Sequence, residues 1–195
     1  MSPADRKSEI LTLAEELLQT RGYSGFSYAD LARELAVSKA AIHHHFATKE
    51  DLGLALVEHY QQELLDAHRQ IDAHAADAGQ ALELLVEAAA EKLVQGCKVC
   101  PSGIFEAEQG AVPESLAAAA RRLDESMHEW LAGLLTRGRA RGELAFAGEP
   151  EDQAWMVMAT FQGAFQKARS FGRPAYHAIT DQLLRSMGVD GAPAG

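Results

Sequence analysis

Residues 27–52 read SYADLARELAVSKAAIHHHFATKEDL, and they hold three helix starts in close succession. Ser27 is followed three residues later by Asp30, the spacing of a reciprocal cap on a new helix. Leu31 and Leu35 then fall on one inward face. Ala36 and Val37 leave room only for a tight connection before Ser38, which can cap a short helix that buries Ile42 and Phe46. Thr48 with Asp51 repeats the capping spacing and opens a long helix through Leu52, Leu56, Tyr60 and Leu64. Upstream, Ile10, Ala14, Leu17 and Leu18 form one apolar stripe that Gly22 ends. Three short helices, the last two joined by a tight turn, describe a helix-turn-helix unit.

The three consecutive histidines need a role within that frame. Each helical residue turns roughly 100° from the last, so His43, His44 and His45 point in three directions. No single ion can collect them. Positions four before and after are Lys39 and Ala47, Ala40 and Thr48, and Ala41 and Lys49, none of them a metal partner. No metal site is expected. In a helix-turn-helix the last helix enters the major groove, and its exposed residues meet bases and phosphates. With Ile42 and Phe46 inward, His43 and His44 face out and His45 flanks them. Imidazoles can donate or accept toward either kind of group. Lys39 and Lys49 bracket them with charge suited to phosphate. The capped starts at Ser27, Ser38 and Thr48 add backbone N–H groups that favour anions.

The remaining chain continues in helices. Leu82, Val86, Ala89 and Leu93 mark a fifth, stopped by Gly96. Pro101 suits the first turn of a short sixth that Gly110 can close. Pro113 suits the start of a seventh, whose seam runs Leu116, Ala120, Leu123, Met127, Trp130 and Leu134. Pro150 opens an eighth with Ala154, Met158, Phe161, Phe165 and Ala168 on one face; Pro174 opens the last, with Tyr176, Ile179, Leu183 and Met187. The expected fold is all-α with about nine helices. Residues 1–48 are expected to form the helix-turn-helix DNA-binding domain, 49–190 a larger helical domain, and 191–195 a flexible tail.

Bulk properties agree with that plan. The 195 residues are 47% hydrophobic and 24% charged, with a net charge of −10. Such acidity argues against a nonspecific nucleic-acid coat protein. The first fifty residues hold six Lys/Arg against seven Asp/Glu, so the acidity is concentrated elsewhere. No apolar run is long enough for a bilayer, and the N-terminus lacks an apolar leader, so a cytoplasmic protein is expected.

Two further features carry chemistry. Cys97 and Cys100 are the only cysteines. Cys100 precedes Pro101 at a predicted helix start, where the dipole and Lys98 favour thiolate, so an oxidant- or electrophile-sensing role is one alternative; a small apolar filler is the other. Glu125 and His128 have the Glu-x-x-His spacing of di-iron bundles, but such a site needs a second copy and two more glutamates. No nucleotide-binding or hydrolase motif is present, and no enzymatic activity or cofactor is expected.

The stretch VSKAAIHHHFATKEDLGLALVE resembles the signature of the tetracycline-repressor (TetR) family, V-S-K-G-T-L-Y-x-H-F-x-x-K-E-x-L. The matches are Val37, Ser38, Lys39, His45, Phe46, Lys49, Glu50 and Leu52, with Ile42 a mild substitution. SYADLARELA is similar to the preceding family helix. Two departures stand out: His43 replaces a phosphate-contacting tyrosine, and Ala40–Ala41 replaces Gly-Thr, removing a hydroxyl. The resemblance implies a homodimer paired through the last two helices, bound to double-stranded, roughly palindromic operator DNA. It also implies repression relieved when a small-molecule effector swings the long fourth helix. Under it the DNA-facing set is Ser27, Tyr28, Ser38, Lys39, Ala41, His43, His44, His45 and Lys49. The effector set is Cys100, Phe105, Met127, Trp130, Met158, Phe161 and Gln162, apolar walls with a polar handle.

Overall fold

A computed structural model describes residues 3–94 and 101–189, all of whose regular elements are helices. They are α1 (Pro3–Arg21), α2 (Tyr28–Glu34), α3 (Lys39–His45), α4 (Lys49–His74), α5 (Ala78–Val94), α6 (Pro101–Ala107), α7 (Glu114–Ala140), α8 (Pro150–Phe171) and α9 (Arg173–Ser186). The expected stop at Gly96, both cysteines and the tail 191–195 lie outside the described residues. The sixth helix ends at Ala107, before Gly110, in a turn where Ala111 and Val112 donate to the Glu108 carbonyl.

The chain forms two compact units, and α4 and α7 contribute residues to both. One joins Met1–Glu63 with Val99–Asp124; the other joins Leu64–Lys98 with Glu125–Gly195. Contiguity in space therefore does not follow the expected functional boundary after residue 48.

In the first unit the α1 stripe packs inward as the apolar spacing requires, with Ile10, Ala14, Leu17 and Leu18 buried alongside Leu31, Ile42, Phe46, Leu52 and Leu56. Both predicted Ser/Thr–Asp capping pairs form. Asp30 accepts the Ser27 N–H at 2.9 Å and the Ser27 hydroxyl at 2.7 Å. Asp51 accepts the Thr48 N–H at 2.9 Å, and Thr48 Oγ1 returns the favour to the Asp51 N–H at 3.1 Å. The Ser27 hydroxyl and then Arg33 hold the Asp30 carboxyl down at about 2. Between α2 and α3, Ala36 sits at φ 52°, the left-handed turn conformation that directs α3 across α2.

In the second unit α8 packs on α9 and α5 on α9. Its core gathers Leu82, Val86, Leu131, Leu135, Val157, Phe165, Leu184 and Met187 around Tyr176. Tyr176 is fully buried, and its hydroxyl donates to the Val86 carbonyl at 2.9 Å, joining α9 to α5 without leaving a buried polar atom unmet.

Candidate nucleic-acid interface

The α3 surface is set by what α3 buries. Ile42 and Phe46 are buried, while Lys39, Ala40, His43 and His44 are exposed and Ala41 and His45 are half-buried. Ser38 caps the helix by accepting the Ala41 N–H at 3.2 Å. His43 donates through Nδ1 to the Ala47 carbonyl at 3.0 Å, which leaves Nε2 as its outward nitrogen. The rings of His44 and His45 meet edge to face at 5.3 Å. The exposed arc is therefore Lys39, His43 and His44, with Ser38 exposed at its start. It offers one cation and several hydrogen-bonding groups on a helix narrow enough for a major groove.

Two residues of the expected DNA-facing set have other duties. Tyr28 is buried; its hydroxyl donates to the carbonyls of Phe46 at 3.0 Å and Thr48 at 2.5 Å, and its ring lies edge-on to His43 at 4.7 Å. It fixes the end of α3 and the orientation of His43. Burial, then Asp51, pushes its phenol up to about 12. Lys49 is turned inward. Its Nζ donates to the carbonyls of Tyr23 and Phe26, each at 2.5 Å, and lies 4.5 Å from both ring centroids. An ammonium so engaged holds the α1–α2 connection. The family-like spacing locates Lys49 correctly on the helix but does not reveal which way its amine turns.

Sequence reading also missed Glu108. Its two carboxylate oxygens accept the Tyr23 and Ser24 N–H groups, each at 2.8 Å. Gly22, at φ 78°, passes so close that a Cβ would collide with Glu108 Oε1. The connection carrying residues 22–26 is thus gripped at its N–H groups by Glu108 and at its carbonyls by Lys49. No local pattern announces a contact across so many residues of chain. Lys7, exposed and 5.5 Å from the centroid of the Phe46 ring, is a further cation beside the end of α3.

The expected effector set divides between the units. Phe105 departs from it: in the first unit it is buried edge-on to Tyr23 at 5.9 Å, a core residue under the reading head. Met127, Trp130, Met158 and Phe161 are partly buried against the core of the second unit, with Gln162 half-buried beside them in sequence. Cys100 lies outside the described residues. His128 of the Glu-x-x-His spacing donates to the Glu151 carbonyl at 2.8 Å and stacks on Trp155 at 4.2 Å. Among the described residues no group of three or more His, Cys, Asp or Glu could hold a metal ion, and no helix is long and apolar enough to cross a membrane.

A capped helix presenting cationic and hydrogen-bonding side chains from a three-helix scaffold defines a helix-turn-helix DNA-binding transcriptional regulator. Comparison with known proteins narrows that class. Residues 10–56 match the family model for bacterial regulatory proteins of the tetR family. The transcriptional regulator AcuR of Cereibacter sphaeroides is 30% identical over 174 residues, covering 85% of this chain and 77% of that protein. The transcriptional repressor NemR of Escherichia coli is 26% identical over 171 residues, covering 85% and 84%. A TetR-family regulator from Agrobacterium tumefaciens superposes with a TM-score of 0.92 at 30% identity, covering 95% of this chain and 99% of that one. The chain belongs to the TetR family.

Proposed function

We propose that the protein is a homodimeric repressor whose two α3 surfaces read a roughly palindromic operator and which a small-molecule effector releases. The observation that carries the reading side is the exposed Lys39–His43–His44 arc on a helix whose opposite face is fully buried. Repression is supported by likeness to a protein described as a repressor. In this reading residues 1–48 bind DNA, with Ser27, Ser38, Lys39, Ala41, His43, His44 and His45 at or beside the contact. Residues 49–190 carry dimerisation and the effector.

Pairing through α8 and α9 is supported by what α8 leaves uncovered. Trp155, Met156 and Phe171 are 51%, 60% and 70% exposed, the large hydrophobic residues left outside among those described. A two-fold interface would cover the same patch on both copies. The test joins both halves of the proposal. Light scattering should report a dimer that Met156→Glu converts to monomer. Anisotropy with duplex from upstream of the protein's own gene should show sequence-selective, salt-sensitive binding that the same variant weakens. A monomer that binds scrambled duplex equally well would sink the proposal.

A further inference from the structure

His68, on α4, is 4% exposed, and its Nε2 has no hydrogen-bond partner among the described residues. Its ring lies flat on Trp130 of α7, with centroids 3.9 Å apart and planes within 4°. One helical turn along α4, Asp72 accepts the Trp130 indole N–H at 3.2 Å, which fixes the indole in its plane. Tilting the imidazole out of that plane would break the stack. Burying a polar nitrogen unmet costs free energy that apolar packing at the same position would avoid. A leucine or phenylalanine would fill this place in a purely structural helix.

We infer that the second unit holds an effector site at His68, where Nε2 hydrogen-bonds the hydroxyl of a small, uncharged, largely apolar molecule lying against Met127, Trp130, Met158 and Phe161. Those four side chains are partly buried hydrophobics packed against the core of this unit, and Trp130 lies directly on the His68 ring. Burial lowers the imidazole to about 4, against a smaller opposing influence of Asp72, so the ring is neutral at physiological pH. A neutral imidazole neither recruits an anion nor neutralises one, and burying an unpaired charge beside it is unfavourable. A hydroxyl suits either tautomer, since it can accept from Nε2–H or donate to a bare Nε2.

The inference rests on the effector-released reading, and the two fail differently. The probes are 4-ethylphenol, ethylbenzene and 4-methylbenzoate, titrated calorimetrically into the full chain without DNA. 4-Ethylphenol should bind about tenfold or more tighter than ethylbenzene, because the site is built around a hydrogen bond, and 4-methylbenzoate should not bind. His68→Phe should erase that margin while leaving ethylbenzene unchanged, and His68→Gln should restore part of it. Nitrogen chemical shifts of the histidine ring give a readout needing no variant: the His68 Nε2 resonance should move on adding 4-ethylphenol. An Nε2 resonance that stays fixed, as an internal water would leave it, overturns the site, as does equal affinity for phenol and hydrocarbon. If the phenol binds through His68 but leaves operator affinity intact, the site stands and effector release at it fails. If a compound releases operator equally from wild type and His68→Phe, release stands and the site falls.

Discussion

Glu108 holds Tyr23 by its backbone: Oε1 accepts the Tyr23 N–H at 2.8 Å while Oε2 takes the next N–H, that of Ser24, at the same distance. These are hydrogen bonds to a carboxylate, among the stronger that proteins make. They bind the end of α6 to the connection that orients the reading helices. Removing both acceptors leaves two N–H groups to find water. Glu108→Ala should destabilise the protein by about 1–3 kcal/mol, and Glu108→Gln, which retains one acceptor, by less. Chemical denaturation checks this, and equal stability of Glu108→Ala and wild type would show that the grip is dispensable.

Lys39 and Lys49 should separate cleanly in DNA binding, although both lie in the family-like stretch. Lys39 is exposed on α3, whereas the Lys49 ammonium is tied to two carbonyls and two aromatic rings. Burial lowers the Lys49 amine, with Glu108 acting against that effect. Lys39→Ala should reduce the slope of log affinity against log salt by about one with little change in stability. Lys49→Ala should lower stability and leave the slope unchanged. The reverse pattern in salt-titrated anisotropy would place Lys49 on phosphate after all.

Much of this architecture is legible in the chain because helices announce themselves locally. Capping pairs such as Thr48–Asp51 and apolar stripes such as Ile10–Leu18 depend on neighbours a turn or two away. The outward arc of α3 followed from Ile42 and Phe46 alone. What stayed hidden was every choice made by long side chains across the fold. Lys49 can reach a phosphate or a carbonyl from the same helical position, and Phe105 and Trp130 look alike as apolar helix residues. His68 gives no sign in sequence that Trp130 will lie flat against it.

Ala36 holds a left-handed backbone at φ 52°, a conformation that a Cβ disfavours. It lies between α2 and α3, and its N–H donates to the Arg33 carbonyl at 3.3 Å. Ala36→Gly relieves the steric cost, partly offset by the greater freedom of glycine in the unfolded chain. A net stabilisation of roughly 0.5–1 kcal/mol is expected, with unchanged DNA affinity. Thermal unfolding and anisotropy measure the two quantities. A destabilised Ala36→Gly protein would mean that the turn does not require this conformation.

Asp124 is buried on α7 with Ser102 and Glu106 of α6 about it. Burial raises its carboxyl to about 7, opposed by the Ser102 hydrogen bond and reinforced by Glu106. Between the ordinary Asp range and about 7, the native state therefore holds a proton that the unfolded chain has released. Stability must fall as pH rises through that window. Asp124→Asn keeps the shape and an acceptor for Ser102 but cannot ionise, so it removes this dependence. The variant should gain most at pH 8, on the order of 2 kcal/mol once partial solvent screening is allowed, and least near pH 4. Denaturation of both proteins across this range provides the test. A difference that stays constant with pH would show that Asp124 keeps an ordinary carboxyl in the native state.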